Sequence, residues 1–530
     1  MSITSLVFIL FVFATLILYY LVPKKFQWVI LLISSLVFYI TSSTLGIIYV
    51  LVTATSIFFG AIVIENYTIQ QKSYIKENKE ALSKEEKSIY KAKVKRKKKA
   101  VLVLVILLNI GILCVLKYCH FAVDQVNAIL QTLGAGTLNN EFEWLAPLGL
   151  SFYTFQSVGY IADVYWNKTK AQHNYAKMLL FVSFFPQVTQ GPISDYKQLS
   201  GELFKEHTLT YTNYSRGFQR MVWGFFKKMV IANSLAPYVS DVFTNFREYT
   251  GITCFIGIIA HSIQLYADFS GYMDIMCGLC EMLDIKLTEN FKRPFFSKSI
   301  SEFWHRWHIT LGVWLKTYIY YPISISKRSI NLGKKLNSKF NKYIADCVTT
   351  TIALLAVWFI VGIWHGASWG YIVWGLLMGA IIIFSNWMEP VYRKFRVKLG
   401  IRNSRWGWKV FRILRTCLLF AFIEVIPEVG TLGEGFGFVK RALTNFSIPN
   451  DFRQLFPGVD RDMRIEFFVV LLCIVLLVLS SILSRRESLR DKFNRIPIPI
   501  RIIIIIIMLI LTFAIGLPKV RTGVFMYAKF

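Results

Sequence analysis

Apolar residues recur in long blocks along most of this chain, and short polar or basic segments separate the blocks. A transmembrane helix needs about 20 predominantly apolar residues, and many of the blocks approach that length. The pattern therefore predicts an all-α polytopic membrane protein with about 11–13 transmembrane helices. The predicted spans lie near residues 5–22, 27–43, 45–64, 101–118, 145–163, 176–192, 217–235, 252–280, 347–364, 366–388, 410–427, 466–483 and 501–517.

Residues 284–342 depart from this pattern, because Lys and Arg residues alternate there with Trp, Phe and Tyr. The segment is too charged to span a membrane, and aromatic side chains favour the membrane interface. Non-helical backbone can enter a membrane only where protein buries it. We therefore predict interfacial and re-entrant helices around a cavity that faces the cytoplasm.

The net charge of +29 is informative mainly because of where the basic residues lie. Lys and Arg collect between the spans, which is typical of cytoplasmic loops. This explanation is favoured over nucleic-acid binding, because no recognition motif surrounds the basic runs. The basic end of segment 65–100 is interpreted as a cytoplasmic anchor or a contact to membrane lipids.

The same charges predict an orientation for the chain. No basic residue precedes the first span, and Lys24 and Lys25 follow it, so we expect a retained helix with its N-terminus outside. Segment 119–144 carries acids and no Lys or Arg, which places it outside. Threading the remaining spans puts 389–409 and 485–501 inside, and the tail 518–530 outside.

Two histidines stand out against this apolar background. His308 lies among tryptophans, and His365 follows 57 residues later within the apolar run 351–384. A charged side chain at mid-membrane depth costs roughly 2.5–3.5 kcal/mol on insertion scales, so polar groups there are functional candidates. Neutral histidine can act as a general base toward a hydroxyl. The alternative is a structural histidine held by a backbone carbonyl between helices.

A hydrophobic helix upstream carries a polar stripe. His261, Gln264, Asp268 and Tyr272 are spaced so that they share one helix face. Lipid cannot satisfy these groups, so the face must point into the protein. They could line a substrate passage or form a hydrogen-bonded seam between helices.

Candidate metal and redox motifs are weaker. Cys277 and Cys280 have the spacing of a redox or zinc motif, but they lie in an apolar helix without companion ligands, which favours core packing. His305 and His308 could bind zinc together, yet no third ligand is near in sequence. We predict no metal site.

Six motifs carry a resemblance to a known family. They are PLGLSFYTF (147–155), FPQVTQGP (185–192), YADFSGY (266–272), NFKRPF (290–295), FWHRWHIT (303–310) and GIWHGASW (362–369). In this order they resemble the membrane-bound O-acyltransferase (MBOAT) family, and most closely its bacterial alginate O-acetyltransferase branch. The resemblance covers residues 1–425 well and the remainder loosely.

The resemblance implies an MBOAT fold around a tunnel, where an acyl group moves from a thioester donor to a hydroxyl. The donor would be acetyl-CoA, with no tightly bound cofactor. His365 would be the main catalytic histidine and His308 its partner. The implied tunnel and substrate-binding residues are His261, Gln264, Asp268, Ser270, Asn290, Trp304, Arg306, Trp307 and Trp364. Of these, Asn290, Trp304, Arg306 and Trp307 would shape the donor entrance.

The expected organisation follows from these assignments. Residues 1–100 would form N-terminal transmembrane helices and a basic cytoplasmic segment, and 101–425 the MBOAT catalytic core. Residues 426–484 would form an external loop and helix, and 485–530 a single-span helix with an external tail. By resemblance the protein would lie in a bacterial cell membrane. Its expected partners are an extracellular SGNH-type acetyltransferase, polysaccharide biosynthesis machinery and membrane lipids, but not nucleic acid.

The C-terminal residues Phe525, Tyr527 and Phe530 form an FxYxxF ending. It resembles the tail of the small partner protein of teichoic acid D-alanylation. The resemblance implies an acyl relay, in which Tyr527 accepts the acyl group and passes it on outside the cell. A packed terminal tyrosine is the alternative, and Ala528 and Lys529 depart from the branch's usual residues.

Three other functions stay open at this stage. Transfer of D-alanine from a carrier protein to teichoic acid would use the same chemistry. A transporter or channel could also use polar side chains inside a membrane, although the sequence has no internal repeat of the transporter kind. A scaffold that only recruits secreted enzymes would need no catalytic histidine.

Overall fold

The computed structural model describes residues 1–141, 147–449, 452–457, 464–485 and 487–519. Helices make up most of this part of the chain, and it contains no β-strand. Eight of its helices are long and apolar enough to cross a membrane. They cover Lys24–Ser42, Ile47–Glu77, Lys84–Thr132, Gly251–Met282, Lys342–His365, Trp369–Trp387, Glu466–Leu483 and Ile498–Gly516. The prediction of an all-α, multi-pass membrane protein is therefore confirmed.

The α-helices of the described residues are numbered in chain order. The first eleven are α1 Leu6–Leu21, α2 Gln27–Ser42, α3 Ile47–Glu77, α4 Lys84–Thr132, α5 Leu150–Tyr165, α6 Tyr175–Ser183, α7 Phe185–Val188, α8 Tyr196–Leu203, α9 Tyr211–Phe225, α10 Asn233–Thr244 and α11 Gly251–Met282. The next eight are α12 Ile300–Trp304, α13 Ile309–Leu315, α14 Tyr321–Ser324, α15 Lys327–Lys339, α16 Lys342–His365, α17 Trp369–Trp387, α18 Glu389–Lys398 and α19 Trp406–Glu424. The last five are α20 Leu432–Thr444, α21 Phe452–Leu455, α22 Arg464–Leu483, α23 Leu489–Asn494 and α24 Ile498–Leu511.

Several predicted spans are divided into shorter pieces. Residues 176–192 form α6 and α7, and Pro186 lies in the first turn of α7, where its missing N–H does no harm. Residues 217–235 run from α9 through the π-helical segment Phe226–Ala232 into α10. The aromatic and basic region 284–342 contains the short helices α12–α15, and their interfacial or re-entrant position stays a prediction.

The chain divides into two compact units. The first comprises Met1–Ser215 and Leu279–Thr288. In it, Gly60 of α3 lies so close to α4 that an added Cβ would approach the Val105 side chain to 2.7 Å. The Asn109 amide of α4 donates to the Ser56 hydroxyl of α3 at 2.9 Å, which satisfies two polar groups inside an apolar bundle.

The second unit comprises Arg216–Gly278 and the described residues from Glu289 onward. Here α9 and α11 cross through glycines. A Cβ on Gly224 would lie 2.6 Å from the carbonyl oxygen of Gly271, and one on Gly278 would lie 2.6 Å from that of Gly217. Small residues let two backbones approach this closely. The crossing brings the polar side chains of both helices together.

The pair α16 and α17 packs in the same way within the second unit. A Cβ on Gly375 of α17 would lie 2.5 Å from the Trp358 carbonyl oxygen and 2.9 Å from the Cα of Gly362, both in α16. This tight helical hairpin fixes the end of α16, where His365 lies.

Candidate active site

His365 is the last residue of α16, and only 5% of its surface is exposed. Its ring lies 4.8 Å from the Trp374 ring and 5.0 Å from the Trp364 ring. Gly366 then ends the helix in an extended conformation. A Cβ at this position would collide with the Tyr371 ring, so the glycine lets the chain turn directly behind the imidazole.

His308 lies in the short connection between α12 and α13, and it is 1% exposed. Its backbone has φ 47° and ψ 53°, a left-handed conformation that costs a residue with a Cβ roughly 1–3 kcal/mol. Burial lowers the pKa of its imidazole from 6.5 to about 3, so the ring is neutral at physiological pH. A neutral imidazole can accept a proton.

The structure brings the two histidines into one aromatic cluster. Trp364 joins them: its ring centre lies 6.0 Å from that of His308 and 5.0 Å from that of His365. Phe269 of α11 contacts the other side of the His308 ring at 4.9 Å, edge to face. The expectation that these histidines meet only through the fold agrees with this arrangement, while their chemical roles stay predictions.

A first cavity, of about 420 Å³, lies beside His308. Its lining is mostly apolar and comes from α12, α13, α16 and α17. Trp304 and Trp307, predicted at the donor entrance, line it together with His308. Such a chamber can hold an uncharged acyl group next to a proton acceptor.

A second cavity, of about 620 Å³, is lined by residues of α9, α11 and the segment 289–293, among others. Its charged lining consists of Arg220, Lys227, Lys292, Arg293 and Arg490 with the carboxylates Asp274 and Glu289. Five basic and two acidic side chains give this cavity an excess of positive charge. Asn290 lines it as well, and Ile309 lines both cavities. Ile309, the residue after His308, therefore borders both an apolar and a cationic cavity.

The second cavity contains a charge network that sequence reasoning missed. The Arg220 Nε donates to Asp274 at 2.8 Å, and its terminal nitrogens contact the Glu289 carboxylate at 2.7 and 2.6 Å. Lys227 donates to the second oxygen of Asp274 at 2.7 Å and to Ser270 at 2.9 Å. Two adjacent lysines inside the apolar run 217–235 were the available signal, since buried cations need carboxylate partners.

The polar stripe on α11 is buried as predicted, with the four side chains between 1% and 6% exposed. Asp268 forms an ion pair with Lys228, another residue that the sequence analysis did not single out. Neither Asp268 nor Gln264 is among the residues that line the two cavities, whereas Ser270 lines the second. Their part in a substrate passage stays a prediction, and the Lys228 contact fits a seam between helices equally well.

The other predicted residues are placed as follows. Arg306 pairs with Glu302 at 2.6 Å, and both side chains are 30% exposed. His365 and Trp364 line neither of the two cavities described here. Trp374 was missed, although it contacts His365 and donates its indole N–H to Glu424 at 2.8 Å.

The remaining expectations concern the cysteine and metal motifs and the C-terminal FxYxxF ending. Cys277 and Cys280 are buried in α11. Within the described ranges, no three His, Cys, Asp or Glu side chains are grouped closely enough to hold a metal ion. Phe525, Tyr527 and Phe530 lie outside the described residues.

Buried histidines close to a cavity in an all-α membrane protein are typical of an intramembrane enzyme. Comparison with known proteins indicates which family of such enzymes the chain resembles. Residues 168–338 match the model of the MBOAT, membrane-bound O-acyltransferase family. The chain therefore carries a domain of this family, and the resemblance recognised in its motifs is confirmed. The matched segment includes Asn290, Trp304 and His308 and ends before His365.

Individual relatives extend the similarity beyond this domain. The chain is 36% identical over 315 residues to a protein named probable alginate O-acetylase AlgI from Azotobacter vinelandii, covering 57% of this chain and 58% of the relative. It is 32% identical over 324 residues to a peptidoglycan O-acetyltransferase from Helicobacter pylori, covering 56% of each chain. A teichoic acid D-alanyltransferase from Bacillus subtilis is 27% identical over 283 residues, covering 52% of this chain and 66% of the relative. The similarity thus spans less than two thirds of each of these relatives.

Proposed function

We propose that this protein is an O-acyltransferase that moves an acetyl group from a cytoplasmic thioester donor to a hydroxyl on the far side of the membrane. The observation that carries the proposal is the placement of His308. Its neutral, buried ring lines an apolar cavity and contacts Trp364, which also contacts His365. The family domain and the names of the acetyl-transferring relatives support the same chemistry.

Acetyl-CoA is the proposed donor, as a substrate rather than a tightly bound cofactor. The excess positive charge of the second cavity supports a donor that bears phosphates, because guanidinium and ammonium groups bind phosphate through charge-assisted hydrogen bonds. The thioester end would then pass the loop at Ile309 and place its acetyl group in the first cavity, beside His308.

The transfer step needs a general base, for which we propose His365, with His308 as its partner beside the acetyl group. His365 removes the proton from the acceptor hydroxyl, and the oxygen attacks the thioester carbonyl carbon. The new C–O bond forms, the C–S bond breaks, and the leaving thiolate takes the proton from the imidazolium. General-base catalysis of this kind contributes about 10²–10⁴-fold.

Tyr527 is the proposed first acceptor. A phenol has a pKa of about 10, so it gives up its proton far more readily than a sugar hydroxyl. The distribution of basic residues between the predicted spans supports an N-terminus and a C-terminal tail outside the cell membrane. The acetyl group on Tyr527 would then pass to an extracellular SGNH-type acetyltransferase that modifies a secreted or cell-wall polysaccharide.

Purified full-length protein incubated with isotope-labelled acetyl-CoA tests the proposal. We expect mass spectrometry to find the label on the C-terminal peptide, and we expect His365→Ala and Tyr527→Phe to remove it. An unlabelled peptide beside normal acetyl transfer would rule out the relay and leave direct transfer. If neither peptide nor polysaccharide is labelled while a solute crosses vesicles containing the protein, a transporter is the correct interpretation.

Transfer of D-alanine from a carrier protein is the second candidate, and the similarity to the teichoic acid D-alanyltransferase favours it. The same basic cavity would accept the phosphate of a carrier's prosthetic arm. Competition between labelled acetyl-CoA and D-alanyl carrier protein distinguishes the two donors. We expect acetyl-CoA to label the protein and the D-alanyl carrier to leave it unlabelled.

A further inference from the structure

Asn290 lines the second cavity and is a hydrogen-bonding centre for the segment that carries His308. Its side chain is buried, at 2% exposed. Its Oδ1 lies 3.0 Å from the Thr310 backbone nitrogen, 3.0 Å from the Thr310 hydroxyl and 3.3 Å from the His308 Nδ1. One oxygen thus faces three groups of the segment that carries His308.

The orientation of this amide follows from its neighbours. A backbone N–H can only donate, so the Asn290 atom that faces the Thr310 nitrogen must be the oxygen. The amide nitrogen then points the other way, where it donates to the Met273 sulfur at 3.5 Å. The backbone supports the same arrangement, since the Ile309 N–H donates to the Asn290 carbonyl at 3.0 Å.

An amide oxygen accepts hydrogen bonds and cannot donate them. The His308 Nδ1 that faces it must therefore carry a proton, because two lone pairs at this distance would repel. A neutral imidazole holds one ring proton, so the proton on Nδ1 leaves the lone pair on Nε2.

We propose that Asn290 is a positioning residue that holds His308 in the tautomer protonated on Nδ1, so that Nε2 is the ring nitrogen available to exchange protons during acyl transfer. The chemical part of this proposal rests on the proposed function. The family resemblance implies that Asn290 shapes the donor entrance, whereas its contacts assign it to the control of a histidine. Hydrogen bonds from neighbouring groups fix the tautomer of metal-bound histidines in the same physical way.

Direct detection of the tautomer is the first test. The chain contains 7 histidines, so ¹⁵N-histidine labelling of the full-length protein in lipid bilayers gives few solid-state NMR signals. His308→Gln identifies the signals of His308 by their loss. We expect a protonated Nδ1 and an unprotonated Nε2 in the unchanged protein, and a mixed or reversed tautomer in Asn290→Leu. A protonated Nε2 in the unchanged protein would overturn the proposal.

Kinetics supply the second test. Asn290→Leu removes the acceptor at similar volume, and we expect kcat to fall by about tenfold, no more than for His308→Ala, with little change in the donor KM. Asn290→Asp retains an acceptor oxygen toward His308 and should restore both the tautomer and most of kcat. Thr310→Val is the matched control, because it removes a different donor to the same oxygen. We expect it to change kcat about twofold at most, since it leaves the His308 contact in place.

The two readouts separate failure of this inference from failure of the proposed function. The NMR measurement needs no activity, so a protein that transfers no acyl group can still display the predicted tautomer. An active protein in which Asn290→Leu changes neither the His308 signals nor kcat would reject the positioning role while leaving acyl transfer intact. If Asn290→Leu does not fold, Asn290→Asp and the unchanged protein still test the assignment.

Discussion

His308 and His365 share one aromatic cluster, but the protein holds them in different ways. His365 ends a regular helix, and its position depends on the glycine contacts between α16 and α17. His308 lies in a short loop with a left-handed backbone, and the Asn290 amide contacts its ring. One imidazole is positioned mainly through backbone packing, and the other through a side-chain hydrogen bond.

This difference suggests how each site responds to change. Helix packing fixes where His365 lies, so substitutions of small residues far from its ring should change its position. A hydrogen bond decides which nitrogen of His308 carries the proton, so a single amide should matter for its chemistry. Four experiments test this difference between the two histidines, and the expected effect decreases from each to the next.

The largest effect should come from His365→Ala. Loss of the proposed general base should lower acetyl transfer from labelled acetyl-CoA by about 10²–10⁴-fold. His173→Ala is the control, because that side chain is 65% exposed and pairs with Glu65 in the first unit. Near-normal transfer by His365→Ala would remove this residue from the mechanism.

His308→Ala should have the next largest effect, a decrease in kcat of about 10–10²-fold, because the proposed mechanism makes His365 the main base and His308 its partner. His305→Ala is the matched control, since its exposed ring also lines the first cavity while its Nδ1 contacts the Ser301 carbonyl at 2.6 Å. We expect a change of about twofold for the control. Equal losses in both variants would instead support a site that needs both histidines, such as bound zinc.

Gly375→Val tests the packing that positions His365. The new side chain would meet the Trp358 carbonyl and the Gly362 backbone, so we expect a loss of stability of about 1–3 kcal/mol. A lower midpoint of thermal unfolding would reveal it. Gly111→Val is the control, because an added Cβ at this helical position meets nothing within 4 Å. Similar midpoints for the two variants would contradict the packing argument.

The smallest effect should be a pH dependence of stability. Burial lowers the pKa of His308 to about 3, whereas the unfolded chain has the ordinary value near 6.5. The unfolded state therefore binds more protons below pH 6.5, and the folded protein loses stability as the pH falls toward 3. His308→Gln should show a shallower loss between about pH 6 and pH 4. The midpoints of thermal unfolding across this pH range measure the loss of stability. Parallel curves for the unchanged protein and His308→Gln would refute a lowered pKa of His308.

Much of the fold was predictable from the pattern of apolar residues. Blocks near 20 residues identified the long helices, because lipid admits backbone only when its hydrogen bonds are satisfied internally. The pattern did not reveal where helices break. Residues 176–192 are predicted as one span but form α6 and α7, and the second helix begins next to Pro186.

The candidate site was predictable only in its residue types. His308, His365 and the polar stripe were conspicuous because polar groups in apolar surroundings are costly. Their partners could not be inferred. Lys228 pairs with Asp268, and Trp374 contacts His365. Neither contact could be inferred, because no sequence pattern links the first pair and a tryptophan does not stand out in this apolar region.

Hydrophobic length and the cost of burying polar groups are local properties, so the sequence alone predicts a helical membrane protein with histidines in its interior. The folded structure was needed to show that Ile309 lines both the apolar and the cationic cavity and that the Asn290 oxygen faces His308. These contacts depend on distances of a few ångströms between side chains. The distances are set by close helix packing at glycines and by one left-handed loop.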